Sequence, residues 1–176
     1  LWSSVAMALA ALVVALAAAG CGGGADPSVI PVLGRTLELH VQKPIITKLA
    51  LFTNGGRTFK LEVPDPSRRI AIVKVVIVNR GITFVPLNID AGSADLGNAA
   101  KGEKVKLLDP FLTAELLEGV PPTDGVYSPL LWGEFDLTKG YQASGWLFFD
   151  IPVGLKADTM WWKEADEIIV RFERAR

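Results

Sequence analysis

The chain has 176 residues, with 18 Lys and Arg against 19 Asp and Glu, one histidine and one cysteine. Near-balanced charge argues against a nucleic-acid partner, which usually meets a basic excess. With Cys21 as the only thiol, no internal disulfide and no cysteine-based metal site can form. A hydrophobic core must therefore hold the fold, and about 140 residues after the leader suffice for one core but not comfortably for two.

Residues 1–20 carry no charge, are mostly Ala, Val and Leu, and run into Ala18-Ala19-Gly20-Cys21. An apolar segment, two small residues and a cysteine resemble a bacterial lipoprotein signal, in which the cysteine becomes the lipidated N-terminus. The basic stretch that opens a secretory signal is missing and the first residue is Leu, so the true start is expected upstream. The run is also nearly long enough to span a bilayer, which takes about 20 residues. Three readings stand: cleavage and lipidation at Cys21, an uncleaved anchor, and plain secretion with Cys21 incidental. The first divides the chain into a lipoprotein signal peptide (1–20), a lipidated cysteine with a flexible tether (21–35), and a folded domain (36–176). It places the protein in the cell envelope outside the cytoplasm, with a membrane as partner through the lipid on Cys21.

From Leu37 the pattern has period two. Leu37, Leu39 and Val41 alternate with Glu38, His40 and Gln42, as in a half-buried strand. Residues 45–52 and 58–63 read as two arms of a hairpin turning at Asn54-Gly55. Residues 70–79 are β-branched almost throughout, which predicts a central strand with Ala71, Val73, Val75 and Ile77 facing the core. Residues 82–89 return with Val85, Leu87 and Ile89 inward. Residues 90–103 are small, polar and rich in Gly and Ala, and read as a loop. A short strand is expected at 104–108. Asp109 as a cap, Pro110 in the first turn and Gly119 at the end predict a short helix. Further strands are expected at 130–137, 145–151, 160–162 and 168–172. Short strands punctuated by turns, with one small helix, argue for an all-β fold, an immunoglobulin-like β-sandwich with the helix in an insertion.

Three segments strengthen this reading: the long strand closing on Asn79-Arg80-Gly81, the run Lys139 to Pro152 with its Gly145-Trp146-Leu147-Phe148-Phe149-Asp150-Ile151-Pro152, and Ile168-Ile169-Val170-Arg171-Phe172. Together they resemble the telokin-like, immunoglobulin-type domain of unknown function found in bacterial secreted lipoproteins. The resemblance covers roughly residues 37–172, and the region 109–137 is longer than the family pattern. It implies a fold and an extracytoplasmic place and supplies no catalytic residues to carry over; no cofactor or metal is expected.

The residues themselves carry little chemistry. His40 is the one histidine and sits on a polar strand face. No Gly-x-Ser-x-Gly elbow or His-Glu-x-x-His pair occurs. Asp90, Asp95 and Asn98 offer oxygens of the kind Ca²⁺ takes, without the spacing of an EF-hand. Glu134 and Asp136 share one strand face, as any alternate residues do. The aromatics are more informative. Trp146 and Phe148 lie opposite the inferred core face of their strand and need a cover or a partner. With Trp132 and Tyr127 they form a possible binding surface, framed or covered by the 109–137 insertion. The expected function is a non-enzymatic, membrane-tethered module that binds an envelope protein or polymer. The alternative is a small-molecule or metal-binding accessory lipoprotein that uses the aromatic-rich insertion.

Overall fold

The computed structural model describes residues 28–119, 122 and 124–172. Cys21 and the signal segment expected before it lie outside the described residues. The chain is all-β, in several antiparallel sheets. In chain order, β1 (Val29–Leu33), β2 (Leu37–Gln42) and β3 (Ile45–Thr47) lead to the hairpin of β4 (Leu49–Asn54) and β5 (Arg57–Glu62). The long strand β6 (Arg68–Asn79) is followed by β7 (Phe84–Ile89), β8 (Ala94–Asn98) and β9 (Glu103–Lys106). A four-residue helix, α1 (Pro110–Thr113), and the two-residue β10 (Glu115–Leu116) come next. Then follow β11 (Gly133–Thr138), β12 (Gln142–Pro152), β13 (Thr159–Trp162) and β14 (Ile168–Arg171).

The main sheet has the order β1-β2-β6-β12, and β3 pairs with β6 beyond the end of β2. Strand β12 follows β6 in an unbroken antiparallel register from Gln142 opposite Val78 to Pro152 opposite Arg68. The β12 edge is not left open. Trp146 exchanges backbone hydrogen bonds with Pro129 and Leu131, and Phe148 O accepts from Leu108 N. Covering an edge with other chain removes a site for unwanted pairing.

Both faces of the β6–β12 ribbon are buried. On one, Ala71, Val73, Val75 and Ile77 join Leu147, Phe149 and Ile151 and the β2 residues Leu37, Leu39 and Val41. Facing them are Val85, Leu87 and Ile89 of β7, Leu137 of β11, and Met160, Trp162, Ile168 and Val170 of the sheet β14-β13-β8-β9. On the other face Ile70, Ile72 and Phe148 meet Ala50, Phe52 and Leu61 of the β4–β5 hairpin. A strand buried on both sides needs an almost continuous apolar run, which residues 70–78 supply. The hairpin turns on Gly55 and Gly56, at φ 56° and 74°, with Asn54 opposite Arg57. Two successive positive φ angles are what a two-residue hairpin loop requires.

Three expectations are corrected. Residues 90–103 are not one loop, because Ala94–Asn98 forms β8 between β13 and β9. Its composition disfavours a strand, but tertiary contact overrides this. Gly97 lets the neighbouring backbone approach, since a Cβ there would lie 1.9 Å from Glu103 O. The expected helix through Gly119 stops at Thr113, and β10 pairs with β5 instead. A helix of that length gains little without packing, and Leu112 is largely exposed. Finally, Val29–Leu33 is not tether but an edge strand, with Ile30 and Val32 packed on the core. Pro31 is tolerated there because the outer side of an edge strand has no partner.

Two buried polar residues tie the ends together. Asn79 Nδ2 donates to Ile82 O and Leu137 O, both at 2.8 Å, and its Oδ1 accepts from Gly81 N and Ile82 N. Asp166, in the turn between β13 and β14, accepts from Thr36 N at 2.8 Å and Leu37 N at 3.2 Å. Burial pushes the Asp166 carboxyl up, but the backbone hydrogen bonds from Thr36, Leu37 and Arg35, with the Arg35 charge, outweigh it and hold it below its ordinary value.

Replacing Asn79 by Ala leaves buried carbonyl and amide groups unpaired and is expected to cost about 2–3 kcal/mol, read as a lower urea midpoint at unchanged slope. For Asp166 the native pKa is depressed, so its stabilisation is complete above about pH 4 and is lost as pH falls through the lower native value. Urea midpoints measured from pH 7 to pH 2 should show this acid-side loss in the parent and less of it in Asp166→Asn, which starts lower at pH 7.

Candidate functional site

The face of the β6–β12 ribbon away from the principal core carries the aromatics singled out by sequence. Period two places Trp146 and Phe148 of β12 there, beside Lys74 and Ile72 of β6. Tyr127 reaches them from the insertion, anchored by its backbone N–H to Leu51 O at 2.7 Å. Its ring stands edge-on to Trp146 at 5.0 Å and to Phe148 at 6.4 Å. Phe52 completes the group, stacked on Phe59 at 5.3 Å and edge-on to Phe111 at 6.0 Å. Edge-to-face and offset contacts at these separations are the favourable aromatic geometries. Lys74 Nζ lies 5.5 Å from the centre of the Trp146 ring, within cation–π range.

The cover that Trp146 and Phe148 require is thus supplied from two directions, by the β4–β5 hairpin and by residues 127–130. Phe148 is buried and Trp146 and Tyr127 are partly buried. Trp132 does not join them; it packs against the principal core. The arrangement consists of ring-to-ring packing with one cation at its margin.

The other candidate residues are dispersed. His40 Nε2 donates to Glu38 Oε1 at 2.7 Å, and Arg80 Nε donates to Glu38 Oε2 at 2.6 Å. The hydrogen bond from His40, then that from Arg80, holds the Glu38 carboxyl below its ordinary value. Sequence reading placed His40 on a polar face without its pairing. Glu38, two residues earlier on the same face, was the available signal, whereas Arg80 arrives through the turn after β6. Asp90 folds back on its own turn, accepting from Gly92 N at 2.6 Å. Asp95 is buried and pairs with Lys163, and Asn98 accepts from Lys101 N. These oxygens are engaged separately. Among the described residues, no group of three or more His, Cys, Asp or Glu is placed to hold a metal.

Glu134 and Asp136 are exposed on β11, opposite Asn88 and Pro86 of β7, and line a groove of about 500 Å³ with Glu164. Glu164 accepts from Asn88 N at 3.1 Å. Acid–base pairs work through contrasting environments, and here both carboxylates share a solvated one. Among the described residues, Asn79 and Asp166 each hold several backbone groups; sequence reading marked Asn79 only as the end of a strand, and nothing in its local pattern marks Asp166. Comparison with protein-family models, curated proteins and solved structures gives no match to this chain.

If the aromatic cluster is packing, Phe148→Ala should lower stability by about 3–5 kcal/mol, measured by urea denaturation. An open binding surface would tolerate the truncation with little loss.

Proposed function

We propose that this protein is a lipid-anchored, extracytoplasmic module whose domain acts by binding, non-enzymatically, to an envelope protein or polymer. The observation that carries the reading is Ala18-Ala19-Gly20-Cys21 at the end of an uncharged apolar run, followed by Gly22-Gly23-Gly24. An acyl chain on Cys21 would hold the protein at a membrane by inserting into one leaflet, reinforced by a second chain or surface contact. We read the domain as an immunoglobulin-like β-sandwich of the telokin-like kind. The apolar faces that β6 and β7 turn towards each other support that reading. A binding role is supported by Ile82, Phe84 and Tyr141, exposed side chains gathered near the turns that follow β6 and β11. Large apolar side chains grouped at a surface commonly mark an interaction site.

Palmitate labelling of the expressed protein tests the anchor. Label is expected on the parent and absent from Cys21→Ala, which should leave the membrane fraction. An unlabelled parent would overturn the lipid reading, and membrane retention of unlabelled Cys21→Ala would favour an uncleaved anchor. Cross-linking in envelope extract through Tyr141 replaced by a photoreactive residue tests the binding role; with no adduct above an Asn54 control, the binding surface is elsewhere.

A further inference from the structure

We propose that the corner between β2 and β4 is a lipid-contact surface, which lays the domain against the bilayer that holds its N-terminus. The inference rests on lipidation at Cys21. Strand β1 begins with Val29 opposite Gln42, so the chain enters the described domain beside Lys43. Residues 22–28 separate Cys21 from that point, and fully extended they reach only about 25 Å. Whatever lies next to Lys43 is therefore kept within about that distance of the membrane surface.

What lies there is a short, exposed, apolar and basic segment. Ile45 is 43% exposed, Ile46 50% and Leu49 44%, and Lys43 and Lys48 flank them, both exposed. No acidic residue occurs from Val41 to Asn54. Glu62, opposite Leu49 on the hairpin, pairs with Lys60 Nζ at 3.0 Å, a lysine it shares with Glu115 at 3.7 Å. Ile45 and Ile46 point to opposite faces of β3, so they flank its outer edge. A strand-adding protein is the other occupant to weigh. Edge strands are guarded against pairing by shortness, lysine and proline, and β3 has all three: three residues, preceded by Lys43-Pro44 and followed by Lys48. A bilayer needs no backbone partner. Apolar side chains enter the headgroup boundary while ammonium groups meet anionic lipid. The exposed cluster at Ile82 lies elsewhere, since β1 runs its length away from the entry point before Leu33 comes opposite Glu38 at the Arg80 end of the sheet. That end stays free for a partner.

The test uses the full lipidated chain in vesicles of phosphatidylcholine with phosphatidylglycerol. Single cysteines at Ile46→Cys or Leu49→Cys, and at Ile82→Cys as the distant control, carry an environment-sensitive NBD label. On vesicles, labels at 46 and 49 should shift to the blue and resist iodide quenching, while that at 82 stays in water. Lys43→Glu with Lys48→Glu should abolish the shift without removing the chain from the membrane. Equal accessibility at 46, 49 and 82 in vesicle-bound chain would overturn the proposal while leaving lipidation intact. Two labels per chain would show a free Cys21 thiol, and would remove the lipid reading and this proposal with it.

Discussion

The pairing of β12 along β6 is the constraint on which the rest of the molecule depends. The ladder places Leu147, Phe149 and Ile151 with Val73 and Ala71 on one side, and Phe148 with Ile72 on the other. A ribbon apolar on both faces cannot face water on either. One face demands the strands β7, β11, β13 and β14; the other demands the β4–β5 hairpin. Its two ends are then secured by polar groups. Arg68 grips Asp150 through Nε to Oδ1 at 2.7 Å and through Nη2 to the backbone oxygen at 2.6 Å. At the opposite end Asn79 bridges two turns. Buried Asn79 favours one arrangement of turns over others, because alternatives leave it unpaired in a dry interior.

The double burial also decides how the aromatics are read. Trp146 and Phe148 look like a binding surface only while their covering partner is unknown. Phe52 and Phe59 come from far earlier in the chain, and Tyr127 from an irregular insertion. The exposed apolar side chains are elsewhere, on short edges and turns. The apolar side chains near Lys43 and near Arg80 occupy two such regions, one beside the chain entry and one away from it. The proposed module, held at one end by a lipid and offering the other end outward, needs only that separation.

Much of this was legible from local pattern. Period-two alternation identified β2, β5, β7, β12 and β14 and their inward residues, and the β-branched run identified β6, since side-chain direction along a strand follows from backbone geometry alone. Asn54-Gly55 made the first hairpin legible, although the loop itself falls on Gly55 and Gly56. Strand β8 was not, because Ala94-Asp95-Leu96-Gly97-Asn98 has neither alternation nor propensity; it exists because β13 and β9 offer it partners and Gly97 lets Glu103 close in. The shortened helix has the same cause. Asp109 does cap it, accepting from Phe111 N at 2.9 Å, but pairing with β5 takes the chain after Thr113.

By itself the sequence determined the all-β class, the position of the central strand, the inward faces, and the placing of the one thiol at the end of an apolar run. Each of these is a local property of residue type and period. Only the tertiary structure decided that Trp146 and Phe148 are covered, that Trp132 belongs to a different core, that Asp166 caps a turn 130 residues away in sequence, and that the chain enters the domain beside Ile45 and Ile46. Those facts depend on which distant segments meet. Side-chain period states which face is apolar, but not which surface will bury it.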